Sequence, residues 1–474
     1  THNTSYWFRV TAFGHLEHVY YGERLKEQPI DGLLLKRTAT TGSSICYDPS
    51  DPAYCLDNMP LEWSGIGRGD FRHSPAELKM PDGTFVCDFL YQSHRILPGF
   101  VPMDSMPSAY GGENDCQTLE LTLSDSSNQA NLFLYYTVYE KTNVITRRAV
   151  LENRNEKPLV IRRLMSLMVD LPDRSFHMTT FDGGWIKEAH RHERPLQYGL
   201  YVNSSTTGAS SNRHNPGFLL AERGTTEQQG NVYGFNLVYS GNHYGAVELS
   251  NHRIVRIQAG INPHCFEWTL HEGERFETPE AIMTFSAEGY NGMSRNFHDF
   301  INSHIVRGDW KGRERPVLLN NWEAHFFQFT QGKLLRLARQ AKRLGVELFV
   351  LDDGWFKNRN SDTAGLGDYA VNGKKLPRGL PHFAKRIRKM GLNFGLWFEP
   401  EMVNPDSDLY RSRPEFAVAT PGKEPVLGRN QLVLDLCNPA VRDYIVQNVS
   451  GILDQAQIDY VKWDMNRHIG DCCS

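Results

Sequence analysis

The chain has 474 residues, 40% hydrophobic, 11% aromatic and 22% charged, with 51 Lys and Arg against 55 Asp and Glu for a formal net charge of −4. That balance gives no electrostatic reason to expect a nucleic acid or an anionic membrane as partner. No apolar run approaches the roughly 18 residues of a membrane-spanning helix, and no low-complexity tract or fixed-period repeat is present.

Residues 1–286 read as β. Short alternating runs at 119–123, 132–139, 144–151 and 232–239 are split by Gly, Asn, Asp and Pro, too often for long helices. The expected object is a large antiparallel sandwich over residues 1–288. The pattern changes at residues 289–314, read as a helical linker: 293–305 has helical spacing, with Phe297, Phe300, Ile301 and His304 on one side.

From residue 315 to 474 strands alternate with helices. Apolar runs at 317–319, 346–351, 392–398, 432–436 and 460–463 read as strands, and 334–344, 383–390 and 440–455 as helices. Mostly apolar strands joined by helices imply a parallel sheet covered on its faces. Each strand ends in or near carboxylates, Asn or Trp, as the catalytic face of a (β/α)8 barrel requires. No Gly-rich phosphate loop follows any strand, which counts against a nucleotide fold.

Seven carboxyl groups are candidates for chemistry: Asp352, Asp353, Asp368, Glu399, Glu401, Asp435 and Asp464. Retaining glycoside hydrolysis uses two carboxyls, one attacking the sugar carbon and one protonating the leaving oxygen. Asp464 has the most suggestive setting, in Lys462-Trp463-Asp464-Met465-Asn466-Arg467. Lys462 lies two residues before it on the same face of the pleat and is expected to hold it ionised. Spacing alone fits a helix cap equally well. Asp352 and Asp353 suit sugar hydroxyls as acceptors, although on spacing alone a helix cap and a surface charge fit them better. Trp322, Trp355 and Trp397 at three successive strand ends offer flat faces for the C–H side of a sugar. Arg429 is read as a clamp on an oxygen-rich ligand or the partner of a nearby acid. The His190–His192 stretch reads as a solvated loop.

Eight cysteines include no CxxC pair, which argues against zinc. Cys46 with Cys55, and Cys87 with Cys116, sit in loop-rich stretches and would pair in an oxidising compartment; buried thiols are the alternative. Asn3, Asn203 and Asn448 occupy Asn-x-Ser/Thr acceptors, and Thr1 opens the chain as in a mature or a trimmed product. These features favour secretion, with a cytoplasmic location as the alternative.

The motifs Arg315 to Glu323 (RPVLLNNWE), Leu351 to Phe356 (LDDGWF), Leu366-Gly367-Asp368, Gly395 to Met402 (GLWFEPEM), Gly428-Arg429 and Lys462 to Arg467 occur in one order along the chain. Tyr239 to Asn242, Gly260 to Pro263 and Thr278 to Glu280 accompany them in the β part. The sequence resembles glycoside hydrolase family 36, the tetrameric α-galactosidases. The resemblance implies an N-terminal β-supersandwich followed by the first part of a (β/α)8 catalytic barrel. It implies Asp464 as nucleophile, and Asp352, Asp353, Trp397, Arg429, Lys462 and Asn466 around a terminal α-galactose, with Trp322 as a wall. It also implies that a loop carrying Asp57 and Arg68 serves a neighbouring subunit's site. The family's general acid/base lies on a later strand, whereas this chain ends seven residues after Arg467. Hydrolysis of melibiose, raffinose and stachyose is expected, with no cofactor. Galactosyl transfer of the raffinose-synthase kind, α-N-acetylgalactosaminidase activity and a sugar-binding product without catalysis are the alternatives.

Overall fold

The computed structural model describes residues 1–34, 42, 44–104, 106–210 and 212–471, so Cys472 and Cys473 lie outside the described residues. It divides into two compact units, Thr1–Gly312 and Arg313–Ser474.

The first unit is an antiparallel sandwich. Its larger sheet has ten strands and runs from His190–Pro195 through Val232–Val238 and Val144–Asn153 to Leu90–Pro98. The smaller has six strands around the long central strand Leu159–Pro172. Alternation puts one face of each strand into the core. Leu132, Leu134, Ala149 and Leu151 of the large sheet meet Leu159, Ile161 and Leu164 of the small one, all buried. The helix expected within a linker runs Gly289–His304 and packs on Val232–Val238 and Glu280–Ser286, so it belongs to the first unit. Met293, Phe300 and His304 are buried, but Ile301 is 38% exposed, because one residue beyond Phe300 is about 100° round the helix.

Two buried charge clusters hold this unit together. Glu62 accepts from His18 Nδ1 at 2.6 Å and from the hydroxyls of Tyr136 at 2.6 Å and Tyr6 at 2.8 Å, with Arg147 at 3.4 Å. In the second cluster, Asp170 Oδ2 accepts from Arg256 Nη2 at 2.8 Å, Arg72 Nη1 at 3.0 Å and the Leu61 amide at 2.9 Å. Asp70 is bound by Arg72 Nε at 2.7 Å and Arg256 Nη2 at 2.8 Å. Burial alone would raise the Asp70 carboxyl, but Arg256 and Arg72 hold it well below the usual carboxylate range. This cluster ties the loop bearing Asp57 and Arg68 to the small sheet.

Some expectations for this unit change. The described cysteines Cys46, Cys55, Cys87, Cys116, Cys265 and Cys437 are all free. Cys87 packs in the core between the sheets, while Cys116 lies in a separate cluster with Tyr139 and Phe300. The disulfide argument for an oxidising compartment therefore loses its support. Asn203 is 3% exposed, with its amide donating to Asn215 O at 2.7 Å, whereas Asn3 is exposed. The His190–Pro195 stretch is solvated as expected, but as an edge strand paired with His177–Asp182 rather than as a loop.

The second unit carries a parallel sheet of four strands, Leu318–Asn320, Leu348–Leu351, Asn393–Phe398 and Tyr460–Trp463, hydrogen-bonded in that order. Chain order and spatial order agree without a reversal, as in the first part of a (β/α)8 barrel and unlike a doubly wound sheet. The helix Gln331–Arg343 starts at Thr330, whose side chain accepts from the Lys333 amide, and buries Leu334, Leu335, Ala338 and Ala341. The helix Pro439–Ala456 has Asn438 as cap and Pro439 in its first turn, and stops at Gln457 with φ 49°. The run at 432–436 is not a barrel strand: only Leu432–Val433 is extended, and it pairs antiparallel with Met402–Val403. Leu432, Val433 and Leu434 pack into the same core as Phe394 and Leu396, which is why the run reads like a strand of the sheet, while Leu436 is exposed. No helix among the described residues is long and apolar enough to cross a membrane.

Replacing Arg256 by Ala leaves Asp70 and Asp170 buried with one cation fewer. A loss of about 3–5 kcal/mol is expected, as for other broken buried ion pairs. It should appear as a lower urea midpoint for the first unit; an unchanged midpoint would show that the cluster contributes nothing net.

Candidate active site

The four strands of the parallel sheet end side by side, and their last residues carry the polar groups. After the first strand, Asn320 Oδ1 accepts the Trp322 amide at 2.7 Å, and the Asn320 amide group donates to Asp352. Asn321, fully buried, accepts the backbone N–H of Asp352 at 2.8 Å. At the end of the second strand Asp352 Oδ2 also receives Lys462 Nζ at 2.8 Å. The neighbouring Asp353 is held by Arg359 through Nε at 2.9 Å and Nη2 at 2.8 Å, a two-pronged pair with directional hydrogen bonds. Arg359 is itself buried and anchored to Asn404 Oδ1 at 2.9 Å. Burial pushes the Asp353 carboxyl up against the pull of Arg359. Gly354 follows with φ 95°, a conformation that favours glycine, and a Cβ there would sit 2.9 Å from Phe327 Cδ1. Lys375 Nζ reaches Gly354 O at 2.7 Å, and burial pushes its ammonium down to about 8.

Asp464 follows the fourth strand, and its amide donates to Phe398 O at 2.8 Å. Its Oδ2 receives two donors, Trp397 Nε1 at 3.0 Å and Asn466 Nδ2 at 2.8 Å. Among the described residues no donor sits on Oδ1. Asn466 is oriented in turn: its Oδ1 accepts from Arg429 Nη1 at 2.5 Å, and its backbone N–H donates to Glu399 Oε1 at 2.7 Å. Glu399 is fully buried, and its Oε2 accepts from Gln431 Nε2 at 3.0 Å. Burial pushes the Glu399 carboxyl up to about 7; the Asp464 charge adds to the rise and the Asn466 amide opposes it.

The sheet thus brings Trp322, Asp352, Asp353, Trp397, Arg429, Lys462, Asp464 and Asn466 to strand ends or the segments joined to them. Asp57 and Arg68 belong to the first unit. Asp57 accepts from the Phe71 amide at 3.0 Å, and Arg68 pairs with Asp88 at 3.1 Å over the Tyr47 ring.

Several roles differ from expectation. Lys462 pairs with Asp352 rather than with Asp464: its Nζ lies 2.8 Å from Asp352 Oδ2. Arg429 meets an amide oxygen, not an acid. Trp355 is fully buried, with Nε1 bonded to Trp397 O at 2.9 Å, so it is core. Trp397 is 1% exposed and acts as a donor through its indole N–H rather than as an open platform. Trp322 is half-buried, edge-on to Phe326 and Phe327. Asp368 accepts the amides of Asp408 and Leu409 at 2.8 and 2.9 Å, in the first turn of a short helix capped by Ser407; Asp435 accepts the Cys437 amide at 3.0 Å. Arg359, Asn404 and Gln431 escaped sequence reasoning. They lie in irregular segments, where no periodicity marks an inward-facing residue.

Glu399→Gln removes one ionisation from this site. The native carboxyl keeps its proton up to about 7, against an ordinary value of 4.5, so the native state binds more protons in that window and stability falls as pH rises through it. The thermal midpoint of E399Q is expected to gain on that of the wild type as pH rises from about 4.5 to about 7. A midpoint difference that stays flat with pH would assign the ionisation elsewhere.

Comparison with known proteins identifies the family. The model of the glycosyl hydrolase family 36 N-terminal domain matches residues 14–271, and the melibiase model matches residues 275–474. Alpha-galactosidase AgaA of Geobacillus stearothermophilus is 41% identical over 466 residues, 98% of this chain and 64% of the relative. Alpha-galactosidase 1 of Pediococcus pentosaceus is 38% identical over 471 residues, 99% of this chain and 64% of the relative. Among solved structures, the alpha-galactosidase from Lactobacillus brevis gives a TM-score of 0.97 at 38% identity, covering 100% of this chain and 64% of that one. A variant of AgaA in complex with raffinose gives 0.96 at 41% identity, covering 99% and 65%. The chain therefore spans 64% of the length of these two curated relatives. With the family's N-terminal domain matched over more than half of it, and relatives at 38–41% identity along almost all of it, this chain belongs to glycoside hydrolase family 36.

Proposed function

We propose that these residues form part of a retaining α-galactosidase that releases terminal α-galactose from melibiose, raffinose and stachyose. The observation that carries this reading is the state of Asp464: one carboxylate oxygen is pinned by Trp397 and Asn466, and the other has no donor among the described residues. A nucleophile needs that arrangement, with orientation on one oxygen and a free lone pair on the other. Related enzymes carry the name alpha-galactosidase, and AgaA variants were crystallised with raffinose and with stachyose.

On this reading Asp464 Oδ1 attacks the anomeric carbon as the bond to the leaving oxygen breaks, giving a galactosyl ester. Water then displaces the carboxylate from the opposite face, so the configuration is retained. A second carboxyl, which the family resemblance puts on a later barrel strand, gives its proton to the leaving oxygen and takes one back from the attacking water. Asp352 with Lys462, and Asp353 with Arg359, present charged acceptors and a donor to the O4 and O6 side of galactose. Trp322, Trp397, Arg429 and Asn466 complete the contacts. In a tetramer, the segment bearing Asp57 and Arg68 would serve a neighbouring subunit's site. Two carboxyls suffice for the chemistry, so no cofactor enters it.

In the whole protein, Asp464→Asn is expected to lower kcat on 4-nitrophenyl α-galactoside by about 10⁴-fold or more, as removal of a nucleophile does, while galactose still binds. Proton NMR of the wild-type reaction should show α-galactose as the first anomer released. A D464N enzyme that turns over, or β-galactose as first product, would overturn the reading.

A further inference from the structure

Glu399 is buried, charged when ionised, and takes no part in the chemistry just described. Its carboxyl binds no cation directly among the described residues: its partners are the Asn466 amide and the Gln431 side chain. A buried carboxyl with only neutral partners costs stability that a neutral side chain would not. Such a group is retained where its geometry is needed.

That geometry joins three segments. Glu399 closes the strand Asn393–Phe398, the strand that also supplies Trp397. One oxygen holds the backbone of the turn after Trp463; the other holds Gln431, next to the segment with Arg429. Gln431 O in turn accepts from Arg467 Nη1, so the turn and the 428–431 segment are stitched at both ends. Arg429 and Asn466, which meet each other at 2.5 Å, are thus placed by one carboxyl. If the Asn466 amide were released, its side chain would lose the fixed approach that delivers Nδ2 to Asp464 Oδ2. The charge of Asp464 pushes the Glu399 carboxyl up and that of Arg359 pulls it down.

We infer that Glu399 is a positioning residue for the nucleophile, fixing the turn after the fourth strand through the Asn466 backbone so that Asn466 keeps its bond to Asp464. The inference rests on Asp464 being the nucleophile, and the test separates the two. It uses the whole protein, 4-nitrophenyl α-galactoside for kcat/KM and calorimetry for galactose affinity. Glu399→Ala is expected to lower kcat/KM by about 100-fold and galactose affinity by at most about fivefold, the pattern of an interaction that matters in the transition state. Glu399→Gln, which keeps an oxygen for the Asn466 amide, should return to within about tenfold of wild type. The double variant Glu399→Ala with Asn466→Ala should be no slower than Asn466→Ala alone, within about threefold, since residues acting through one another are not additive. If Glu399→Ala does not fold, the same cycle is run with Glu399→Met, which fills the space without offering the Asn466 amide an acceptor. Activity within threefold of wild type in the variant that lacks the acceptor, or losses that multiply in the double, would overturn the positioning role. An active Asp464→Asn enzyme would instead remove the nucleophile on which it rests.

Discussion

The register of the parallel sheet is the constraint on which the candidate site depends. Trp397 lies opposite Lys462 and Phe398 opposite Trp463 across adjacent strands. Lys462 and Asp352, 110 residues apart in sequence, meet only because the second and fourth strands end at matching heights. A shift of one residue would turn every side chain to the other face. It would carry the Trp397 indole away from Asp464 and Lys462 into the layer of helices. The close packing along the third strand opposes such a slip: a Cβ at Gly395 would come within 2.9 Å of both Val350 and Tyr460.

The charges at the strand ends are organised as pairs whose members have different tasks. Asp352 sits beside a cation that is partly open to solvent, while Asp353 sits against the buried Arg359. Two adjacent carboxylates would repel each other strongly in a poorly solvated site. Separate cations on opposite sides let both remain acceptors. A guanidinium suits the Asp353 side, where two parallel bonds fix the plane of the carboxylate, and a lysine would not replace it there. The first unit shares its cations instead: Arg72 and Arg256 each bind both Asp70 and Asp170, which ties in the loop with Asp57 and Arg68.

Much of this was legible in the sequence, for a definite reason. Apolar runs that end in acids, amides or tryptophan report both the strand and its catalytic end, so Asp352, Asp353, Trp397 and Asp464 could be placed on the sheet before any coordinates. The errors came where sequence neighbours are not spatial partners. Lys462 lies two residues from Asp464 in sequence, yet its ammonium meets Asp352. The apolar run at 432–436 looks like a strand of the sheet because it feeds the same core, but its ladder is short and antiparallel. Trp355 and Trp322 stand at equivalent positions, yet only packing decides that one is sealed and the other half open. Arg359, Asn404 and Gln431 could not be found, since a loop residue gains its direction only from the folded backbone.

The bond between the Trp397 indole and Asp464 has an optical consequence. Excitation of an indole moves electron density from the pyrrole ring toward the benzene ring, so a negative charge at the pyrrole nitrogen stabilises the excited state and moves emission to longer wavelength. Esterification of Asp464 would cancel that charge at hydrogen-bond distance from the ring, and Trp397 emission would move the other way. Of the nine tryptophans in the chain, Trp397 would, under the proposed mechanism, report whether the carboxylate is free or esterified.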